Sequence, residues 1–285
     1  MSAPAPTGLL VVDKPAGITS HGVVARARKA LGTRKIGHAG TLDPMATGVL
    51  VLGVGRATRL LGHLMLTEKT YEATMRLGVT TTTDDAEGEV VAEADTGHLD
   101  EDAVRAALAA YVGEIEQVPT AVSAIKVDGK RAYQRVRDGE EVELKARPVN
   151  IYELEVTGVT LPEVSFRVRC SSGTYVRAIA RDAGRDLGVG GHLTALRRTA
   201  VGPFGLDVAH LPDALDADAL LPMAQVARAA FPTLDLSDDT AQAVRFGRAI
   251  DAELDALTAL LDPAGEFLAL YEPKDGRARP VAVFV

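Results

Sequence analysis

Residues 35–48, KIGHAGTLDPMATG, set one carboxylate, Asp43, among residues that either free or fix the backbone: Gly37, Gly40 and Gly48 on one side of that balance, Pro44 on the other. Glycine tolerates positive φ and lets the main chain approach a ligand closely. The proline directly after Asp43 biases that residue away from the helical region. His38 and Thr41 add two polar side chains nearby. A carboxylate displayed on such a loop could act as a nucleophile, provided it stays ionised in a water-poor pocket. The same residues also make an ordinary turn, because Asp before Pro is common in loops. The residues alone leave both readings open.

Other chemistry is thinly represented. The single cysteine, Cys170, excludes an intramolecular disulfide and the cysteine-based zinc patterns, and it closes an alternating strand pattern as a small core residue would. Asp84, Asp85 and Glu87 form an acidic loop with no matching histidine and no calcium-loop spacing, so no metal site is expected there. No stretch has the length of apolar sequence that spans a bilayer, and MSAPAPTG lacks the basic start and apolar run of a signal peptide. A soluble, cytoplasmic protein is expected.

The formal net charge of −8 argues at first against a polyanionic partner, but the signs are segregated. From Lys14 to Lys69 the cations are Lys14, Arg26, Arg28, Lys29, Arg34, Lys35, Arg56, Arg59 and Lys69, against Asp43 and Glu68 alone. Lys126, Lys130, Arg131, Arg135 and Arg137 form a second cluster and Arg167 to Arg198 a third, while acids crowd into 84–102 and beyond Asp207. Charge runs usually face solvent; three separate ones point to a polyanion-binding face.

The elements that must position Asp43 are legible. Leu9 to Val12 reads as a buried strand, and Ser20 as the cap of a helix through HGVVARARKALG that Gly32 stops. GVLVLGVG is an apolar strand after the loop, GRATRLLGHLM a helix, and KTYEATMRLG a half-buried strand with Tyr71, Ala73, Met75 and Leu77 on one face. Asp100 caps EDAVRAALAAYVG; NIYELEVTGV and VSFRVRC make a hairpin across Pro162; Thr174 opens the helix YVRAIARDAGRDLG; HLTALRRTAVGPFG is strand-like. DALLPMAQVARAAFP is helical up to Pro232, and a boundary near 231 precedes a small acidic segment ending in β-rich EFLALYEP and ARPVAVFV. The whole reads as α+β with a mainly antiparallel sheet.

HAGTLDPMATGVL resembles the signature loop of the pseudouridine synthases, specifically of the TruB family that acts on uridine 55 of tRNA. Four further stretches resemble that family's motifs in order: LLVVDKPAGITSH, EKTYEATMRLGVTTTTDDAEG, VPTAVSAIKVDGKRAYQRVRDGE and CSSGTYVRAIARDAGRDLGVGGHLTALRRTAVGPF, so that the likeness covers residues 8–210. The resemblance implies a catalytic domain over 1–231, built on a mainly antiparallel mixed sheet and carrying an RNA-gripping thumb insertion at 119–147. A small β-rich, PUA-like RNA-binding domain follows over 232–285.

Isomerisation of uridine must break the bond from base to ribose, rotate the base and rejoin it through C5, which needs no metal or cofactor. The resemblance makes Asp43 the nucleophile, with attack at C1′, attack at C6 and a glycal route as alternatives. It makes Arg177 the guanidinium that keeps Asp43 ionised against burial. Tyr71 is implied to stack on the flipped uracil, His38 to enter the space that the target nucleotide leaves, and Leu196 to line the base pocket. Arg59, Lys14, Lys126, Lys130 and Arg131 are implied phosphate contacts. Val122 departs from the family, which usually carries an aromatic there. The expected partner is the T-arm of tRNA, bound by a monomer. The rivals are a synthase subunit that needs a guide RNA and partner proteins, an RNA-folding protein with secondary catalysis, and a metal-dependent nuclease using Asp84 and Asp85.

Overall fold

A computed structural model describes residues 5–121, 126–127, 130–131 and 144–285. In chain order the strands are β1 (Gly8–Lys14), β2 (Ile36–His38), β3 (Thr47–Val54), β4 (Lys69–Leu77), β5 (Val79–Thr81), β6 (Val90–Glu93), β7 (Gly113–Gln117), β8 (Lys126–Val127), β9 (Lys130–Arg131), β10 (Arg147–Thr160), β11 (Glu163–Cys170), β12 (Gly191–Val201), β13 (Phe204–Gly205), β14 (Thr233–Asp235), β15 (Thr258–Leu261), β16 (Phe267–Lys274) and β17 (Arg277–Val283). The helices are α1 (Ser20–Ala30), α2 (Leu61–Leu64), α3 (Glu101–Ala109), α4 (Val176–Asp186), α5 (Met223–Ala230) and α6 (Asp238–Arg245). Among the described residues β1, β2, β4, β7, β10, β11, β16 and β17 take antiparallel partners and β14 runs parallel to β15, so the fold is α+β with mixed sheets, as the sequence predicts.

The chain forms two compact units that interleave along the sequence. Unit 1 takes the residues up to Pro44, then Gly48–Met65 and Val201–Val285; unit 2 takes Met45–Thr47 and Leu66–Ala200.

In unit 1 the apolar runs of β1 and β3 are buried on both faces and pair from Gly8↔Val54 to Lys14↔Gly48. β2 also pairs with β3, from Ile36↔Val54 to His38↔Leu52. This register fixes both ends of the loop carrying Asp43, since His38 enters it and Gly48 leaves it against strands already in the sheet. Gly40 and Gly48 adopt φ of 95° and 98°, the left-handed freedom that the glycines were expected to supply. The core beneath joins Leu9, Val11, Val49 and Val51 to Val226 of α5 and to Ala259, Phe267 and Phe284. Residues after 231 thus contribute to the core that backs β1 and β3. A second cluster, including Val244, Leu268 and Tyr271, lies between α6 and the sheet β14-β15-β16-β17.

In unit 2 the sheet runs β12-β4-β11-β10-β7. The β10–β11 hairpin turns at Thr160↔Glu163, across Pro162 as expected. Helices α3 and α4 pack against its strands, and Gly184 of α4 lies so close to the backbone of Gly190 and Gly191 that a side-chain carbon has no room there.

Several element ends differ from the sequence reading. Thr19, not Ser20, caps α1, accepting the Gly22 N–H at 3.0 Å. Asp100 caps α3 as expected, and Gly32 follows α1 with φ 61°. Tyr175, not Thr174, precedes α4, and the Thr174 hydroxyl turns back to the Ser171 carbonyl at 3.0 Å. The helix expected over GRATRLLGHLM divides into a 3₁₀ turn, Gly55–Arg59, and α2. The helix before Pro232 begins only at Met223, because Leu221 is held extended by two hydrogen bonds with Leu9, at 3.0 and 2.8 Å. β8 and β9 pair within the 119–147 insertion. Val122 and the side chains of Lys126, Lys130 and Arg131 lie outside the described residues.

Candidate active site

The loop of Asp43 is fastened on both sides of the carboxylate. On the N-terminal side, the buried Ser20 hydroxyl donates to the Leu42 carbonyl at 3.0 Å and accepts the Leu42 N–H at 2.9 Å. One side chain thus satisfies both backbone groups of a buried loop residue, which would otherwise go unpaired. On the C-terminal side, the Pro44 carbonyl accepts the Gly17 N–H at 2.9 Å and the Lys14 ammonium at 3.1 Å. Asp43, half-buried, sits between these two clamps.

The structure revises Lys14. Expected as a phosphate contact, its side chain is fully buried and its Nζ donates to the carbonyls of Pro15, Ile18 and Pro44 at 3.0, 2.7 and 3.1 Å. Its role is internal: it ties the end of β1 to the loop. His38 lies edge-on to His21 of α1, with ring centroids 5.4 Å apart, so α1 braces the loop through two neighbouring side chains, Ser20 and His21. Arg59 is exposed and donates to the Val283 carbonyl at 2.6 Å, which ties its guanidinium to the last strand.

In unit 2, Tyr71 is buried on β4, opposite Val168 of β11. Arg177 stands in the first turn of α4. Its guanidinium donates to the Thr83 carbonyl at 2.8 Å and pairs with the Asp85 carboxylate at 3.1 Å, both side chains being only 4% exposed. Asp85 is held in turn by the Thr83 hydroxyl at 2.5 Å and the Glu87 N–H at 3.1 Å. One turn along α4, Arg181 pairs with Asp84 at 3.2 Å and with Asp182 at 2.9 Å; a turn further on, Arg185 reaches Asp182 at 3.0 Å. Burial pushes the Asp84 carboxyl above its usual range, against the pull of Arg181 and Arg177. The acidic loop is therefore engaged by the arginines of α4. Among the described residues no group of three or more His, Cys, Asp or Glu is placed to hold a metal ion.

Gln117 adds a positioning contact that the sequence did not suggest. Its side-chain amide accepts the Tyr175 N–H at 2.8 Å and donates to the Tyr175 carbonyl at 3.1 Å, fixing the chain two residues before Arg177. Leu196 lines an open cavity of about 610 Å³ with Glu72, Thr74, Arg167, Thr194 and Arg197. At the start of β4, burial and then the nearby Arg198 charge lower the Lys69 ammonium to about 8. Burial raises the Cys170 thiol to about 11, which keeps it protonated and fits its reading as core.

Two expectations follow. Asp85→Ala removes the carboxylate from a buried guanidinium, and should lower unfolding free energy by about 3 kcal/mol or more in denaturant titration. Asp85→Asn, which keeps the shape, should cost less; equal and small losses would contradict the pairing. For Lys69 the unfolded chain holds its proton to about 10.5 while the folded chain releases it near 8, so the unfolded state binds more protons between those values. Stability from this group therefore rises with pH across that window, and the penalty is fully present below it. Lys69→Met should raise the denaturation midpoint at pH 7, with the gain shrinking as pH climbs from 8 to 10.5. A gain independent of pH would refute this.

Comparison with known proteins gives consistent results. The family described as TruB family pseudouridylate synthase (N terminal domain) matches residues 28–176, and that described as tRNA Pseudouridine synthase II, C terminal, matches 231–285. A tRNA pseudouridine synthase B from Cutibacterium acnes is 54% identical, with 98% of each chain covered. One from Nocardia farcinica is 58% identical, over 97% of this chain and 92% of that protein. Among solved structures, a chain in a Cbf5-Nop10-Gar1 complex superposes with a TM-score of 0.76 at 28% identity, covering 98% of this chain and 85% of the other. A chain in an H/ACA RNP bound to a substrate RNA containing 2′-deoxyuridine gives 0.74 at 26% identity, over 100% and 92%.

Proposed function

The chain belongs to the TruB family of pseudouridine synthases, and from that membership we propose that it isomerises uridine 55 in the T-loop of tRNA to pseudouridine, without a guide RNA. The observation that carries this reading is the fastened loop around Asp43, in a chain similar along nearly its whole length to proteins named tRNA pseudouridine synthase B.

Asp43 is the nucleophile. The bond from the uracil nitrogen to ribose breaks, the base turns while still held, and a carbon–carbon bond forms from C5 to C1′. The proton on C5 leaves to solvent through a base and N1, freed from ribose, takes up a proton, so substrate and product have the same composition. Tyr71 stacks on the extracted base and its hydroxyl serves proton transfer, while Arg177 supplies the positive charge that keeps the aspartate ionised. Leu196 lines the base pocket and His38 fills the space the nucleotide vacates. Extraction of a stacked base costs a few kcal/mol, offset by stacking and by phosphate contacts, for which Arg59, Lys126, Lys130 and Arg131 are the proposed donors.

Residues 1–231 form the catalytic domain with its 119–147 thumb, and residues 232–285 the PUA-like domain. Most arginines of that last segment are already paired, Arg245 with Asp262, Arg277 with Asp251 and Arg279 with Asp275, which favours a modest share of RNA binding there. The protein works in the cytoplasm as a monomer. The guided reading draws on the likeness to the chain that sits with Nop10 and Gar1. The much higher identity to proteins named for tRNA favours the unguided one.

The test is Asp43→Asn with an unmodified tRNA transcript, followed by digestion to nucleosides and chromatography. Wild type should yield pseudouridine and the variant none, with RNA affinity kept within about tenfold because binding is spread over many phosphate contacts. Product formed by the variant would remove Asp43 from the mechanism.

A further inference from the structure

Residues 26–35, RARKALGTRK, carry Arg26, Arg28, Lys29, Arg34 and Lys35 and no acidic residue, in a chain whose net charge is −8. They form the C-terminal half of α1 and the turn into β2. Arg26 reaches Asp213 at 3.0 Å, and Arg28 donates to the Ile36 carbonyl at 3.0 Å. Lys29, Arg34 and Lys35 are exposed and make no ion pair among the described residues.

The C-terminal dipole of α1 accounts for the first part of this cluster, because cations in a last helical turn are favourable and Arg28 and Lys29 are there. It does not account for Arg34 and Lys35, which lie beyond the helix. Between them the surface is concave: Arg28, Lys29, Gly32, Thr33 and Arg34 line an open hollow of about 550 Å³. Gly32, at φ 61°, has no atom beyond its two chain neighbours within 4 Å of where a side chain would begin, so the floor of the turn is open to close approach. Like charges gathered without counter-ions repel one another, an arrangement that a bound polyanion relieves.

The placement of the hollow says which polyanion. The other end of α1 carries Ser20 and His21, which brace the loop of Asp43. Ten residues of helix separate the two ends, roughly 15 Å at 1.5 Å per residue. β2 then runs directly from the turn to His38. An RNA whose uridine lies at Asp43 continues past the loop on both sides, and such a distance is within its reach. We infer that Lys29, Arg34 and Lys35, with Arg28, form a second phosphate-binding surface for the backbone of the substrate RNA, set apart from the loop that does the chemistry. This rests on the reading of the substrate as RNA given above. It contrasts with the tail, where most arginines already have carboxylate partners.

The experiment measures the affinity of the full chain for unmodified tRNA across a salt series, for wild type, K29A/R34A and K29E/R34E, with pseudouridine formation by wild type recorded alongside. Every phosphate that is no longer neutralised should lower the slope of log affinity against log salt by about 0.7–0.9, so the neutral variant should drop by about 1.4–1.8 in that slope. The reversed variant should bind about tenfold more weakly near 0.15 M salt. Thermal midpoints should stay unchanged, since both sites are exposed. An unchanged slope and affinity overturn the inference and leave the synthase reading standing. A wild type that binds RNA yet makes no product fails that reading, while the slopes still decide the inference. A wild type that does not bind RNA overturns both. Variants that lose adsorption to phosphatidylglycerol vesicles but not RNA affinity overturn the inference in favour of a membrane surface.

Discussion

The ammonium of Lys14 lies inside unit 1, and the carbonyls that receive it belong to Pro15, Ile18 and Pro44. Removing a full charge from water costs several kcal/mol unless fixed dipoles replace the water. The three carbonyls are those dipoles, so the end of β1, the turn before α1 and the loop of Asp43 are bound into one arrangement. Moving the loop would strip the charge of a partner. Ser20 does the same for Leu42 with a neutral group. The carboxylate between these clamps is thereby held before any ligand arrives, and such preorganisation is the chief means by which a protein lowers a barrier without reorganising during the reaction.

Unit 2 repeats the logic with a guanidinium. Arg177 is fixed from the loop 83–85 and by its place on α4, whose start is itself fixed by Gln117. The spacing of Arg177 and Arg181, one helical turn apart, lets α4 receive Asp85 and Asp84 of the loop in succession, while Arg185 pairs with Asp182 within the helix itself. The acidic loop that could suggest a metal site is thus the counter-charge of a helix. Asp85 carries a structural demand that its spacing alone could not reveal.

Much of this is legible from residue order, and the rest is hidden for identifiable reasons. The glycines around Asp43 announce positive φ, the alternation in KTYEATMRLG announces a half-buried strand, and Asp100 announces a helix start, because each is a local property of the backbone. Lys14 defeats a reading from sequence because a lysine after an apolar strand normally faces water; carbonyls brought in by residues 18 and 44 help make an inward ammonium tolerable. Thr19 and Ser20 are adjacent hydroxyls with equal claim to the cap, and tertiary contact with Leu42 decides between them. The delayed start of α5 likewise depends on Leu9, more than 200 residues away in sequence. Nothing in the order of residues shows Gln117 reaching Tyr175.

Tritium release from a tRNA transcript labelled at uridine C5, with no metal, guide RNA or cofactor added, tests the central claim most directly. The account predicts one equivalent released per tRNA, because a single T-loop uridine exchanges its C5 hydrogen for the bond to ribose. No release from an RNA that the protein demonstrably binds would contradict it.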